Sequence, residues 1–323
     1  MKYTSEALTK PDMNKTTLWN KTPFIILMTF ICCFLWGSAF PCIKTGYRLF
    51  SIASDDTASQ ILFAGVRFTL AGVLVIAVGS LVRKKILIPK RESLLPVLIL
   101  AFFQTSGQYF FFYAGMAHTT GVKSAILVAT GNFLTILIAA LIFHYEKLTL
   151  RKIIGCMIGF AGVVLIQLPG GLDAGFHMNG EGFILLSTVV SSFASAFVKK
   201  FSAREDPLVL SGWQFVAGGL LLCAGGLMEG GTLTGFTPAS TLLLFYMACI
   251  SAGAFSLWSL LVVHNDISRI AVFRFMNPVI GVILSALILG EQNQAFTVFG
   301  VGAMVLVSLG IIVVNRKPAA RTD

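Results

Sequence analysis

Residues 24–43 read FIILMTFICCFLWGSAFPCI, twenty positions without a single charge. At 1.5 Å of rise per residue, a helix of that length crosses the ~30 Å hydrocarbon core of a bilayer. The run is too long for the apolar region of a signal peptide and lacks a small-residue cleavage site after it. Outward from it the same pattern repeats. Apolar runs predict ten helices, at 24–43, 60–82, 94–115, 120–143, 152–169, 180–200, 207–228, 239–263, 267–289 and 295–315. Between them stand Arg83-Lys84-Lys85, Pro89-Lys90-Arg91, Pro169-Gly170-Gly171, Gly230-Gly231 and Pro238, the residues that interrupt helices. Of 323 residues 56% are hydrophobic and 12% charged, about half the ~25% charge of a soluble domain. This composition excludes a soluble enzyme, a secreted disulfide scaffold and a nucleic-acid binder, and leaves an all-α integral membrane protein.

The net charge of +10 matters less for its size than for its placement. Nineteen Lys and Arg fall in the tails and even-numbered loops, whereas the odd-numbered loops hold only Lys44 and Arg48. Because cytoplasmic loops carry the positive excess, both termini are expected in the cytoplasm of a bacterial inner (plasma) membrane. Two Asn-x-Thr sequons, at Asn14 and Asn20, would then lie on the wrong side for glycosylation and read as chance matches. Cys32, Cys33, Cys42, Cys156, Cys223 and Cys249 all lie in apolar runs without C-x-x-C spacing, and read as small buried hydrophobes.

The chain repeats itself. Asn132, Glu146 and Gly155 recur as Asn277, Glu291 and Gly300 at a constant offset of 145 residues. Ser38-Ala39-Phe40 recurs as Ser195-Ala196-Phe197, and Arg67-Phe68 answers Gln214-Phe215. With five helices in each half, an odd number, the second half enters the membrane inverted, the organisation of many secondary transporters. The expected division is a cytoplasmic tail over 1–23, a first repeat over 24–169, a second over 180–315 and a cytoplasmic tail over 316–323.

These features resemble the EamA-type members of the drug/metabolite transporter superfamily. The resemblance is carried by Trp36-Gly37-Ser38-Ala39-Phe40, Arg67-Phe68, Asn277-Pro278-Val279 with Gly290-Glu291, and the Gly155/Gly162 and Gly300/Gly310 spacings. It covers residues 24–315. Asn132-Phe133 stands where the family commonly has proline. The resemblance implies alternating access around a central cavity lined by helices 1–4 and 6–9, with helices 5 and 10 peripheral.

Charges inside apolar helices cost about 2.5–3.5 kcal/mol each on insertion scales and therefore mark candidates for function. Arg67 and Arg274 each lie seven residues inside a helix, from opposite ends, while Lys123 sits near a helix end and can snorkel. For both arginines the alternative to function is snorkelling or a structural bond to carbonyls. No Asp or Glu falls deep in any helix, so the interior sign is positive and favours a carboxylate or other anionic group on the substrate. Gln104 and Gln108, one turn apart, together with Asn132, Asn277, Gln214, Trp36, Tyr109, Trp213 and Trp258, complete the expected lining. Interhelical hydrogen bonding or an interfacial aromatic belt would place the same residue types equally well. Pro278 is expected to bend its helix at Arg274, whose carbonyl it opposes. Gly155-x-x-x-Gly159 suits close helix packing or a homodimer face.

No H-E-x-x-H, G-x-S-x-G or Walker motif is present, so neither an enzyme nor a cofactor or metal site is expected. The partners expected are the bilayer and a small-molecule substrate. The reading is a secondary transporter exporting an amino-acid-like or other carboxylate-bearing metabolite. A multidrug exporter of the same fold is the nearest alternative, and a receptor or structural membrane protein the alternative from another class.

Overall fold

The computed structural model describes residues 21–145, 148–166, 176–202, 205–264 and 272–315. Several expectations fall outside them: both tails, Pro169-Gly170-Gly171, Glu146, Lys147, Arg204 and Arg269. Among the described residues the chain is helical throughout. We number the rods α1 (Thr22–Leu49), α2 (Thr57–Arg83), α3 (Arg91–His118), α4 (Gly121–Leu141), α5 (Leu150–Leu165), α6 (Met178–Phe201), α7 (Pro207–Met228), α8 (Pro238–His264), α9 (272–289) and α10 (Val298–Asn315). A single turn, Gln292–Ala295, precedes α10. By length and composition α1–α4 and α6–α8 can cross a membrane, and α9 and α10 are shorter apolar helices. The rod α5 has 16 residues and carries Arg151 and Lys152 in its first turn.

Helix starts follow local chemistry. Asp56 accepts from the Ser59 amide at 2.9 Å, Thr120 from Lys123 at 3.2 Å, and Asp206 from Leu208 at 2.8 Å, each satisfying a donor that a helix N-terminus leaves unpaired. Pro207 stands at the first helical position, where its missing N–H costs nothing. Most boundaries fall within a few residues of expectation, and the largest shift is at the end of α1, which does not stop at residue 43 but continues to Leu49, so Lys44 and Arg48 are helical residues. Charge suggested a loop there, but the last turns of α1 are held by Tyr47, Phe50 and Ile52, all buried in the core.

Between helices surrounded by lipid, apolar side chains gain nothing by leaving one greasy phase for another, so association rests on close packing. The α2–α7 pair shows how. Gly65, Gly72 and Gly79 recur every seven residues on α2, and Gly212, Gly219 and Gly226 do so on α7. A Cβ at Gly65 would lie 2.5 Å from the Cys223 amide nitrogen, at Gly72 2.6 Å from that of Val216, and at Gly219 2.5 Å from that of Thr69. The seven-residue period keeps a bare stripe facing the partner along α7 and over Gly65 and Gly72 of α2, while Gly79 receives the Leu87 side chain. The α5–α10 pair is built likewise, with Gly155 and Gly310 so close that a Cβ on Gly155 would lie 3.0 Å from the Gly310 carbonyl. Gly159, by contrast, receives the Phe133 ring of α4.

The two ends of the bundle differ. One, here called the basic end, carries Arg83, Lys84, Lys85, Lys199 and Lys200, with Arg83 ion-paired to Asp206. Toward the opposite end Tyr47, Phe50, Phe63, Phe68, Tyr113 and Phe215 form a continuous aromatic core. The contrast between glycines is testable. Gly72→Val should collapse the yield of folded protein, because backbone lies where the side chain must go. Gly225→Ala, with open space around it, should instead raise stability by about 0.5–1 kcal/mol through helix propensity, read as a higher melting temperature in detergent.

Candidate functional site

A cavity of about 380 Å³ lies among α1–α4 and α6–α9. Its blind end is formed by Phe40 and Phe112, which meet edge to face at 5.9 Å, and its rim at the basic end by Ser202 and Pro207. Of the residues read from sequence as lining a pathway, Trp36, Arg67, Gln104, Gln108, Tyr109, Asn132, Trp258, Arg274 and Asn277 meet in this wall. Gln214 does not. It is fully buried between α7 and α3, accepting a 2.5 Å hydrogen bond from the Thr105 hydroxyl. Trp213 also points elsewhere, donating from Nε1 to the Leu87 carbonyl at 2.8 Å.

Arg67 is held from three sides. Its Nε donates to the Met247 carbonyl at 3.1 Å, Nη1 to the Tyr113 hydroxyl at 2.6 Å and Nη2 to Ser251 Oγ at 3.1 Å. Its guanidinium also lies over the Phe68 ring, 4.9 Å from the centroid. A guanidinium with 3% of its residue surface exposed needs such partners, because an unpaired buried charge costs several kcal/mol. Tyr113 is fixed in turn, since Tyr47 donates from its hydroxyl to the Tyr113 carbonyl at 2.7 Å. Arg67 thus ties α2, α3 and α8 together while showing an edge to the cavity.

Arg274 is placed differently. Its side chain is open to the cavity and its guanidinium lies 5.6 Å from the Trp258 ring centroid, a cation–π contact. Among the described residues no hydrogen bond or ion pair engages it. Trp258 packs against Trp36 at 5.7 Å, and Trp36 against Phe255 at 5.8 Å, so an aromatic corner surrounds the cation. Here the backbone changes type: Val272–Phe275 is a 3-10 turn and α-helix resumes at Met276, two residues before Pro278. The first half has a matching irregularity without proline. The α4 helix is interrupted at Ala129, whose carbonyl accepts from Asn132 Nδ2 at 3.1 Å. Asparagine's side chain supplies a local competitor for the backbone there.

Two features of the wall escaped the sequence reading. One is a face of small hydroxyls on α6, Ser187, Ser191 and Ser195, spaced four apart; that spacing was the available signal. The other is a π-helical stretch, Ala101–Gly107, in which Ser106 Oγ donates to the Ala101 and Gly218 carbonyls, both at 3.1 Å. Such wide turns recur at functional sites, and this one carries Gln104 into the cavity with Gln108 just after it. Among the described residues the wall holds two arginines, several amides and hydroxyls, and no carboxylate.

A bundle of apolar helices around a polar, basic cavity that reaches one end and stops short of the other defines a membrane transport protein. Comparison with known proteins names the kind. The model of the EamA-like transporter family matches residues 23–168 and again 178–316, and the chain belongs to that family. An uncharacterized transporter of Archaeoglobus fulgidus is 29% identical, over 87% of this chain and 95% of its own length. The uncharacterized transporter YvbV of Bacillus subtilis is 26% identical over 93% and 94%. The uncharacterized inner membrane transporter YedA of Escherichia coli is 25% identical over 88% and 90%. A solved crystal structure superposes with a TM-score of 0.62 at 19% identity, covering 91% of this chain and 96% of the other, a likeness of fold alone.

At the opposite end the halves are clasped. Lys123 does not snorkel to the interface but pairs with Glu181 at 3.2 Å, both nearly fully buried. Glu181 also accepts from Thr119 Oγ1 at 2.8 Å and from the His177 amide at 3.0 Å. Glu291 caps the start of α4, accepting from the Gly121 and Val122 amides at 3.1 and 2.9 Å. Two acids from the second half therefore grip the α3–α4 junction of the first. Lys123→Ala should destabilise the protein by about 3–5 kcal/mol, since it strands a buried carboxylate, whereas Lys123→Met combined with Glu181→Leu should recover most of the loss. Thermal melting of the two variants checks this.

Proposed function

We propose that the protein is a secondary transporter that exports a small carboxylate-bearing metabolite by alternating access. The observation that carries this reading is the cavity itself: basic, free of carboxylates among the described residues of its wall, and reaching the basic end of the bundle. With the basic end in the cytoplasm, the cavity is loaded from inside and closed outward by Phe40 and Phe112. Arg274 is the substrate-facing cation, because Arg67 is buried and already commits three of its five donors to protein partners. A guanidinium offers a carboxylate two parallel hydrogen bonds in a fork that an ammonium lacks.

The ten rods are read as ten spans in two inverted repeats. Two successive family matches support this, as does the pairing of helices. The first rod packs on α9 as α6 packs on α4, and α8 on α1 as α3 on α6, while α2–α7 and α5–α10 are self-related. A multidrug exporter of the same fold is the second reading, favoured by the aromatic corner of Trp36, Trp258 and Phe255. The lack of a carboxylate in the wall weighs against lipophilic cations.

Counterflow in proteoliposomes, screened with radiolabelled amino acids, other carboxylates and cationic dyes, tests substrate class; uptake restricted to dyes would overturn the carboxylate reading. Arg274→Lys and Arg274→Ala should both lower counterflow at least about tenfold, equivalent to ~1.4 kcal/mol, with membrane insertion unchanged. Parent-level transport by Arg274→Lys would mean that the residue serves only as a point charge. A reporter fused after Arg321 should be active only in the cytoplasm.

A further inference from the structure

The opposite end holds a second pocket, of about 300 Å³, lined by Lys44, Tyr47, Arg48, Met116, Leu289 and Glu291 among others. We propose that it is a binding site for the carboxylate of a small solute, a second station beyond the closed gate. The sequence raises the question first. Lys44 and Arg48 are the two basic residues that the sequence places in odd-numbered loops, where positive charge is avoided, and they stand one turn apart on α1, on the same face. The structure gathers both into one pocket. Lys44 is half-buried on the bundle's interior, beside Tyr47 and Met116, where a residue that merely snorkelled would face lipid and headgroups. Among the described residues no hydrogen bond or ion pair engages its ammonium. Glu291, in the same wall, accepts from the Gly121 and Val122 amides, one on each oxygen; its charge also acts on Lys44, so with Arg48 the pocket carries one net positive charge. Arg48 is exposed and donates to Thr45 Oγ1 at 3.3 Å, leaving most of its donors open.

The pocket also sits on the line of the central cavity. On α1, Phe40 lines the cavity and Lys44 the pocket; on α3, Phe112 lines the cavity and Met116 the pocket. Four residues of helix, about 6 Å, separate them on each rod. A solute passing Phe40 and Phe112 emerges directly beside Lys44. That the solute bears a carboxylate rests on the transport reading; the anion preference of the pocket does not.

The test places a thiol in the pocket, Ala117→Cys, in the full chain in nanodiscs, with labelling of the parent subtracted. It compares two methanethiosulfonates, one bearing a sulfonate and one a trimethylammonium group, with propionate as competitor. The sulfonate reagent should react about tenfold faster relative to the cationic one than it does in the Lys44→Gln/Arg48→Gln variant. Propionate should slow it only when both cations are present, and Lys44→Arg should keep the preference. If Lys44→Gln fails to accumulate, Arg48→Gln alone is expected to lower the ratio about threefold. A ratio indifferent to these substitutions, or no protection by propionate, would overturn the site. Counterflow by the parent is read separately: anion preference without counterflow keeps the pocket and removes the transport reading, and counterflow without preference removes the pocket alone.

Discussion

Helices in lipid lack the force that folds soluble proteins, because leaving the hydrocarbon for another apolar surface releases no ordered water. What remains is contact at short range, and the glycine stripes of α2 and α7 supply it. They let two backbones approach until a single added carbon would strike a peptide nitrogen. The pair links the halves, since α2 belongs to the first family match and α7 to the second. On its flanks stand α3 and α8, which wall the cavity. A rigid seam in the middle permits a cavity beside it, because the polar groups around that cavity need not also hold the bundle together.

Polar chemistry is accordingly divided. Where the halves meet at the opposite end, charges are paired and capped: Lys123 with Glu181, and Glu291 with the start of α4. Arg67 is held by three acceptors, one on each of its nitrogens. Arg274, among the described residues, is left with an aromatic ring. In a medium of low dielectric this contrast is large, since a satisfied guanidinium is structure and an unsatisfied one invites a ligand. The serines of α6 follow the same logic. Ser191 and Ser195 return their hydroxyls to carbonyls of their own helix, which makes the wall polar without giving it charge.

The class of fold was legible because membrane helices obey a severe rule: every backbone group must be bonded within its helix, so long uncharged runs announce themselves. Most of the cavity lining was legible for a related reason, that polar residues in such runs are few. Gln214 shows the limit. Its side chain meets Thr105 on a rod more than a hundred residues away in sequence, and nothing local distinguishes a residue facing a cavity from one facing a neighbour. Lys123 was seen, but as a helix-end charge free to snorkel; its pairing with Glu181 depends on how the halves dock. The end of α1 was misplaced because charge was taken to mean loop, whereas a pocket can hold charge on a helix. The seven-residue glycine spacing of α2 and α7 lay in plain view and was missed because only the four-residue spacing of Gly155 and Gly159 was weighed as a packing surface.

The thinness of the layer between the two cavities has an electrical meaning. With solvent in both cavities, as the transport reading requires, a voltage across the membrane would fall mainly over the one turn of helix around Phe40 and Phe112. A solute of one net charge would do nearly all of its electrical work in that single step, about 2.3 kcal/mol per 100 mV. A zwitterion would do almost none. Through the distance of one helical turn, the fold would make the membrane potential selective between transported solutes that present the same carboxylate.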